Sequence, residues 1–296
     1  VSTGTRSVSI GNSHASGTEG FSAGISSNLN FYGATGTDST SIGNISRATG
    51  VQSTALGNKA RASGNYSVAL GNSLASGGDS FAAAVGSTSS GTGARGDASI
   101  AMGSGAHASG QRSVAIGNNA TANGRDSLAI GGVRPLAGGD FSIAFGWASV
   151  SQQNKMGYSQ TRFDASGDAQ LGTTVLAGET TDATPTTLSS NTFSTVIMVL
   201  NNNSAYAFSG TIVAREQASA GTDCAAWEIK GLIRREGSAG TTVLVNSATT
   251  VLDNTPAWGM ALTADTTNGG LAITVTGAAS TNIRWVATIN TSEVTY

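Results

Sequence analysis

Two histidines and six acidic residues are the first places to look for chemistry in residues 1–146 of this 296-residue chain. His14 and His107 fall at strand positions with no Cys, His or carboxylate at metal-ligand spacing, and are read as surface residues with no metal or catalytic role. Glycan cleavage needs two carboxyl groups facing each other across a groove, roughly 5 to 9.5 Å apart. Glu19, Asp38, Asp79, Asp97, Asp126 and Asp140 lie mostly at turns, and no pair is spaced to converge. No catalytic residue is assigned, and the chain is not expected to be an enzyme. Gly77-Gly78-Asp79 and Gly138-Gly139-Asp140 hold a fragment of the calcium-binding Gly-Gly-x-Gly-x-Asp pattern. That pattern needs tandem copies, so both are read as turns, and no metal or cofactor is expected. Arg95-Gly96-Asp97 is an integrin-type tripeptide, too short a match in a Gly-rich chain to carry a binding assignment.

Other reactive or sticky side chains lie later in the chain. Cys224 is the single cysteine and cannot form an intrachain disulfide. It is read as a small buried hydrophobe rather than a reactive thiol. Trp227 alternates with Ile229, and Trp285 with Ile283 and Ile289, which places both in a core. Trp258 follows Asn254-Thr255-Pro256 in a loop and is the aromatic best placed to stack on a sugar or a protein surface.

The elements that must position these residues follow from composition and repeat. The chain has 41 glycines, 3 prolines, 11% charged and 39% hydrophobic residues. So few charges and so many small residues suit tight repetitive β structure. A net charge of −2 argues against nucleic-acid binding, which needs a basic face. No run of apolar residues is long enough for a transmembrane helix. The start at Val1 and the lack of a visible signal peptide lead us to expect a fragment or processed product of a longer chain.

A motif of Ser, any residue, Ala or Ser, an aliphatic and Gly recurs through residues 1–146. It reads Ser7-Val8-Ser9-Ile10-Gly11, Ser53-Thr54-Ala55-Leu56-Gly57, Ser67-Val68-Ala69-Leu70-Gly71 and Ser99-Ile100-Ala101-Met102-Gly103. It continues as Ser113-Val114-Ala115-Ile116-Gly117, Ser127-Leu128-Ala129-Ile130-Gly131 and Ser142-Ile143-Ala144-Phe145-Gly146, with variants ending at Ser26, Gly43 and Gly86. Those ten copies predict coil lengths cycling through 14, 14, 15 and 17 residues, a superperiod of 60 that also separates Phe21, Phe81 and Phe141. Each coil holds two short strand signals. Within the first, Val68 and Leu70 share one face and Ala69 the other. The expectation is that Val68 and Leu70 point into the coil. Ala55, Ala69, Ala101, Ala115, Ala129 and Ala144 would then form a flat outer stripe packing against identical chains.

Ser113-Val114-Ala115-Ile116-Gly117-Asn118-Asn119-Ala120-Thr121-Ala122-Asn123-Gly124 resembles the head repeat of YadA-type trimeric autotransporter adhesins. The resemblance implies a left-handed parallel β-roll in a homotrimer, over about half the chain. The coiled-coil stalk and membrane-anchor strands of that family are not visible here, and no membrane insertion is expected.

The remainder reads differently. The roll is expected to span 1–147, a linker 148–157, and an all-β domain 158–296. Candidate strands are Ser194–Leu200, Tyr206–Arg215, Ala226–Arg235, Thr242–Val245, Met260–Ala264, Leu271–Thr276 and Ile283–Ile289. Turn signals stand at Asn201-Asn202-Asn203, Ser219-Ala220-Gly221, Gly237-Ser238-Ala239-Gly240 and Thr267-Asn268-Gly269-Gly270. This pattern suggests an antiparallel β-sandwich or jelly roll. Residues 178–186, 271–277 and 283–287 make it similar to C-terminal β-sandwich domains of tailed-bacteriophage fibre and virion proteins. The two resemblances together imply a trimeric phage tail fibre on the virion, outside the cell. Its partners would be other tail or baseplate proteins and a bacterial surface glycan or protein, with Trp258, Asn201, Asn202 and Asn203 as receptor-binding residues. The alternative is a passenger-domain fragment of a bacterial trimeric autotransporter adhesin on the cell surface.

Overall fold

The computed structural model describes residues 1–25, 32–86, 91–190, 197–217, 223–254 and 256–296. Among these residues the chain is all β, apart from one 3-10 turn at Ala239–Thr241. It divides into two compact units, Val1–Ser151 and Gln152–Tyr296.

The first unit is a parallel β-roll. Ten strands, from Val8–Asn12 to Ile143–Gly146, stack in parallel as one sheet, and nine two-residue strands, from Gly33–Ala34 to Ser149–Val150, form a second. Registers are held coil on coil: Val68 pairs with Phe81, Phe81 with Ile100, Ile100 with Val114, Val114 with Leu128 and Leu128 with Ile143.

One turn explains why the motif begins with Ser. Between the second strand and the next first strand, the Gly64 carbonyl accepts both the Ser67 N–H at 3.4 Å and the Ser67 hydroxyl at 2.6 Å. Ser53, Ser80, Ser113 and Ser127 repeat the side-chain bond to Gly50, Gly77, Gly110 and Gly124. A buried hydroxyl thus finds its acceptor within its own turn. The residue before each Ser is left-handed, as at Gln52, Tyr66, Arg112 and Asp126. A non-glycine residue there costs roughly 1–2 kcal/mol.

The two faces are the reverse of the expectation. Ala55, Ala69, Ala101, Ala115, Ala129 and Ala144 are fully enclosed inside the roll, together with Ala48, Ala62, Ala94, Ala108, Ala122 and Ala137 of the second sheet. Val68, Leu70, Val114 and Ile116 are half-exposed on the outside. The six alanines are therefore not an intersubunit stripe. The coil is flat: Ser41 and Ser46 hydroxyls meet at 2.7 Å across its interior. Between the paired strands this space is filled by methyl and hydroxyl groups, and Val85 and Val150 are the larger side chains in the same core.

Coil lengths also change. Val8 pairs with Phe21 and Phe21 with Thr40, so the first coil is 13 residues and the next 19. The same pair of lengths recurs from Val68 to Phe81 to Ile100. The superperiod of 60 stands, but its copies end at Gly24 and Ala84 rather than Ser26 and Gly86; Ser26 lies outside the described residues. Phe21 and Phe81 are equivalent, whereas Phe141 sits in a turn two residues before the paired Ile143.

Among its described residues the second unit holds ten strands: β1 Lys155–Ser159, β2 Ala169–Thr180, β3 Thr186–Thr187, β4 Met198–Val199, β5 Ser204–Glu216, β6 Cys224–Arg235, β7 Val243–Asp253, β8 Gly259–Asp265, β9 Gly270–Thr276 and β10 Ile283–Thr295. An antiparallel sheet runs β1-β2-β10-β5-β6-β7, and β3, β4 and β8 all pair antiparallel with β9. Both sheets supply one core: Leu176, Tyr206, Ile212, Trp227, Ile283, Trp285 and Ile289 from the larger, Leu271, Ile273 and Val275 from the smaller. Trp227 stacks on Trp285 with centroids 5.8 Å apart. The Trp285 indole N–H donates to the Thr180 hydroxyl at 3.0 Å.

The stretch 148–157 is not a bare linker. Ser149–Val150 closes the roll's second sheet, and Lys155–Ser159 pairs with β2. Strands β1 and β2 were not foreseen. Of the expected strand Ser194–Leu200, residues 194–196 lie outside the described residues, as does the expected turn 219–221.

Candidate functional site

The most extended surface feature of the roll is a double aliphatic ladder. One column runs Val68, Phe81, Ile100, Val114, Leu128, Ile143; the second runs Leu70, Ala83, Met102, Ile116, Ile130, Phe145. Parallel in-register stacking puts like beside like at every coil. Toward the first coil the first column passes through Thr54 and Thr40 to Phe21 and Val8, and the second through Leu56, Ile42 and Ala23 to Ile10. Monomeric proteins rarely expose so continuous an apolar strip.

The second unit carries a groove of about 340 Å³ on the outer face of its larger sheet. Cross-strand register builds it from two adjacent rows. Asn290, Ser209, Lys230 and Ala248 form one; Thr288, Thr211, Glu228 and Thr250 form the next. Hydroxyl, amide, ammonium and carboxylate groups thus converge on a strip flanked by exposed Leu171 and Leu232 on one side and Val213 and Val286 on the other. Gly210, between the rows, has no room for a side chain: a Cβ there would lie 2.2 Å from the Thr288 carbonyl oxygen.

The residues expected to bind a receptor are not part of this groove. Trp258 is only 5% exposed and packs on Trp285 at 5.8 Å. Asn254 holds it from both sides, accepting the Trp258 N–H at 2.9 Å and donating to its carbonyl at 2.8 Å. Its loop turns inward, so it is a core residue rather than a stacking platform. Asn201 is half-buried and accepts from the Gln152 amide at 2.7 Å. Asn202 and Asn203 are exposed at a turn where Asn203 is left-handed.

Glu19, Asp97, Asp126 and Asp140 of the roll join coil to coil. Asp97 accepts the Gly78 N–H at 2.9 Å, Asp140 the Arg125 N–H at 2.8 Å, and Asp126 takes two bonds of 2.6 Å from Arg112. The Arg112 hydrogen bond holds the Asp126 carboxyl below its ordinary value. Arg6 pairs with Glu19 in the same way. The Arg95-Gly96-Asp97 tripeptide is locked in this turn column, with Gly96 wedged against the Gly110 carbonyl. His107 is half-buried; burial, then the nearby Arg95 charge, lowers its pKa. Cys224 is exposed at the start of β6, not buried. Among the described residues no group of three or more His, Cys, Asp or Glu could hold a metal ion. Among the described residues no helix is long and apolar enough to cross a membrane.

A buried ionic cluster escaped the sequence reading. Lys155 and Glu293 pair at 2.7 Å with side chains 3% and 1% exposed. The Gln170 amide donates to Glu293 at 2.8 Å, Thr291 reaches the same carboxylate, and the Lys155 ammonium lies 5.0 Å from the Tyr206 ring centroid. Burial lowers the Lys155 pKa against the opposing pull of Glu293. It raises that of Tyr206, with the Glu293 charge adding to the effect. Period two running on from Ile283, Trp285, Ala287 and Ile289 to Thr291 and Glu293 was the available signal.

Comparisons with known proteins agree with the roll. The YadA head domain repeat matches residues 34–60, 48–73, 94–120 and 108–132. A search of curated proteins finds no match. Among solved structures the chain is similar to a tailspike protein, gp49 of Acinetobacter baumannii bacteriophage Fri1, a capsular polysaccharide depolymerase. That match has 12% identity and a TM-score of 0.29, over 97% of this chain and 47% of that one. The chain thus spans less than half of that protein's length, and a TM-score at this level says nothing about activity.

Proposed function

We propose that this chain is a structural and adhesive segment of a homotrimeric tailed-bacteriophage fibre. The roll is its stiff shaft, roughly 50 Å long for ten coils at about 4.8 Å each, and residues 152–296 face the host. The observation that carries the reading is the unpartnered double ladder of Val68, Ile100, Val114, Leu128 and their neighbours. A strip that repeats at every coil is best covered by an identical strip at the same height, as a cyclic assembly of identical chains provides. Three copies of a weak receptor site on one rigid body raise the effective concentration of each later contact.

The groove between Ser209, Thr211, Glu228, Lys230 and Asn290 suits a hydroxyl-rich ligand such as a bacterial surface glycan, with the exposed Asn202–Asn203 turn as a second contact. The fibre's remaining partners are other tail or baseplate proteins. Sedimentation of the purified chain tests the assembly: a trimer mass is expected, and a folded lone subunit at micromolar concentration would overturn the reading.

A second reading, a passenger fragment of a bacterial trimeric autotransporter adhesin, is favoured by the head-repeat match. Immunogold labelling separates the two, on virions for the first and on the bacterial surface for the second.

A further inference from the structure

The buried cluster of the second unit has the composition and geometry of a self-modifying site. Lys155, on β1, and Gln170, on β2, both donate to Glu293 Oε2, at 2.7 and 2.8 Å. The three residues sit in the core, with Lys155, Gln170 and Glu293 at 3%, 6% and 5% exposure. Gln170 is the cross-strand partner of Glu293, and Gly172 that of Thr291. Gly172 keeps the path between them open: a Cβ there would lie 2.7 Å from Lys155 Cε and 2.3 Å from a Glu293 oxygen. Lys155 therefore reaches across an inward position of β2 that has no side chain. An amine, a carboxamide and a carboxylate meet in a buried space, two of them held on one oxygen of the third.

We propose that Lys155 and Gln170 form an intramolecular isopeptide bond, with Glu293 as the proton carrier. Glu293 takes a proton from the Lys155 ammonium, and the free amine adds to Gln170 Cδ. The carboxylate hands that proton to Nε2, the Cδ–Nε2 bond breaks, and ammonia leaves. The second Nζ proton departs through Glu293 with the ammonia, as ammonium, and the carboxylate is restored. One amine and one amide become a secondary amide and ammonia, with no oxidant or co-reactant. Proximity replaces an encounter in solution, burial favours the neutral, nucleophilic amine, and a carboxylate touching both nitrogens is placed for general acid–base work. The burial of all three groups limits the access of water, the competing nucleophile. The product ties β1 covalently to β2.

Intact-mass measurement of the purified chain decides the matter. The folded protein is expected to be lighter than its sequence by one ammonia, and digestion is expected to yield a branched peptide joining the Lys155 and Gln170 segments. Glu293→Gln and Lys155→Arg should each restore the full mass and separate the two peptides. A wild-type chain of full mass, with Lys155 and Gln170 in separate peptides and a cooperative melt showing that it is folded, overturns the proposal. That measurement needs no variant to fold. The alternative it would leave is a non-covalent buried ion pair.

Discussion

Gly64 and Gly77 stand at corresponding turns of successive coils, so close that a Cβ on Gly64 would lie 1.9 Å from the Gly77 carbonyl oxygen. The same approach recurs from Gly96 to Gly110 and from Gly110 to Gly124, at 2.0 and 1.9 Å. The obstructing atoms are backbone, which cannot step aside without breaking the ladder. Gly64→Ala and Gly110→Ala are each expected to destabilise the roll by about 1–3 kcal/mol, as overpacked sites do. Denaturant titration of either variant checks this. Gly71→Ala has open space for its methyl, though its positive φ of 69° still strains it, and should cost less.

The outer ladder and the inner alanines should respond oppositely to substitution. Ile116→Ser places a polar group at a half-exposed position and is expected to weaken assembly while leaving the coil folded. Ala115→Leu puts bulk into a fully enclosed site and is expected to disrupt the coil itself. Sedimentation together with circular dichroism distinguishes the two outcomes. If Ala115→Leu folds normally while Ile116→Ser unfolds, the assignment of faces is wrong.

In the second unit, Thr180 is the hydrogen-bond acceptor for the buried Trp285 indole. Thr180→Val keeps the shape but leaves the N–H without a partner, at a cost of about 1–3 kcal/mol. The change should appear as a lower melting temperature monitored by tryptophan fluorescence.

Asp168 organises the loop before β2. Burial opposes its ionisation, but the N–H groups of Ala165, Asp164 and Phe163 bond its carboxylate and hold its pKa below 3.8. A carboxyl whose folded pKa is depressed stabilises the fold above its unfolded value and loses that contribution as pH falls through the folded one. Protection of the amides of residues 163–165, relative to their intrinsic exchange at the same pH, should therefore fall only below about pH 4. In Asp168→Asn it should be low at neutral pH as well; protection unchanged in that variant would refute the assignment.

Host binding is expected to depend on the sheet groove rather than on the tryptophan core. If the proposed assembly binds cells through this groove, Lys230→Ala with Asn290→Ala should reduce cell binding more than about tenfold with no change in melting temperature. Trp258→Ala should lower the melting temperature, because it opens a cavity beside Trp285.

Much of the second unit was legible where inward positions are apolar: Ile283, Trp285, Ala287 and Ile289 announce β10 by alternation alone. Strands β1 and β2 were not, because their inward positions hold Lys155, Gly157 and Ser159 in one and Gln170, Gly172, Thr174, Gly178 and Thr180 in the other, with Leu176 the single apolar side chain among them. Hydrophobic periodicity cannot report a strand whose buried face is polar or missing. Lys155, Gln170 and Glu293 lie far apart along the chain, and only pairing across β1, β2 and β10 brings them together.

For the roll, residue order alone determined the repeat, its 60-residue superperiod and the two-faced character of each strand, since alternation is a property of extended backbone. Tertiary structure decided which face lies inside. Period two is symmetric under exchange of faces, and the gap between the two sheets breaks the tie by admitting Ala69 and Ser67 and turning Val68 and Leu70 out.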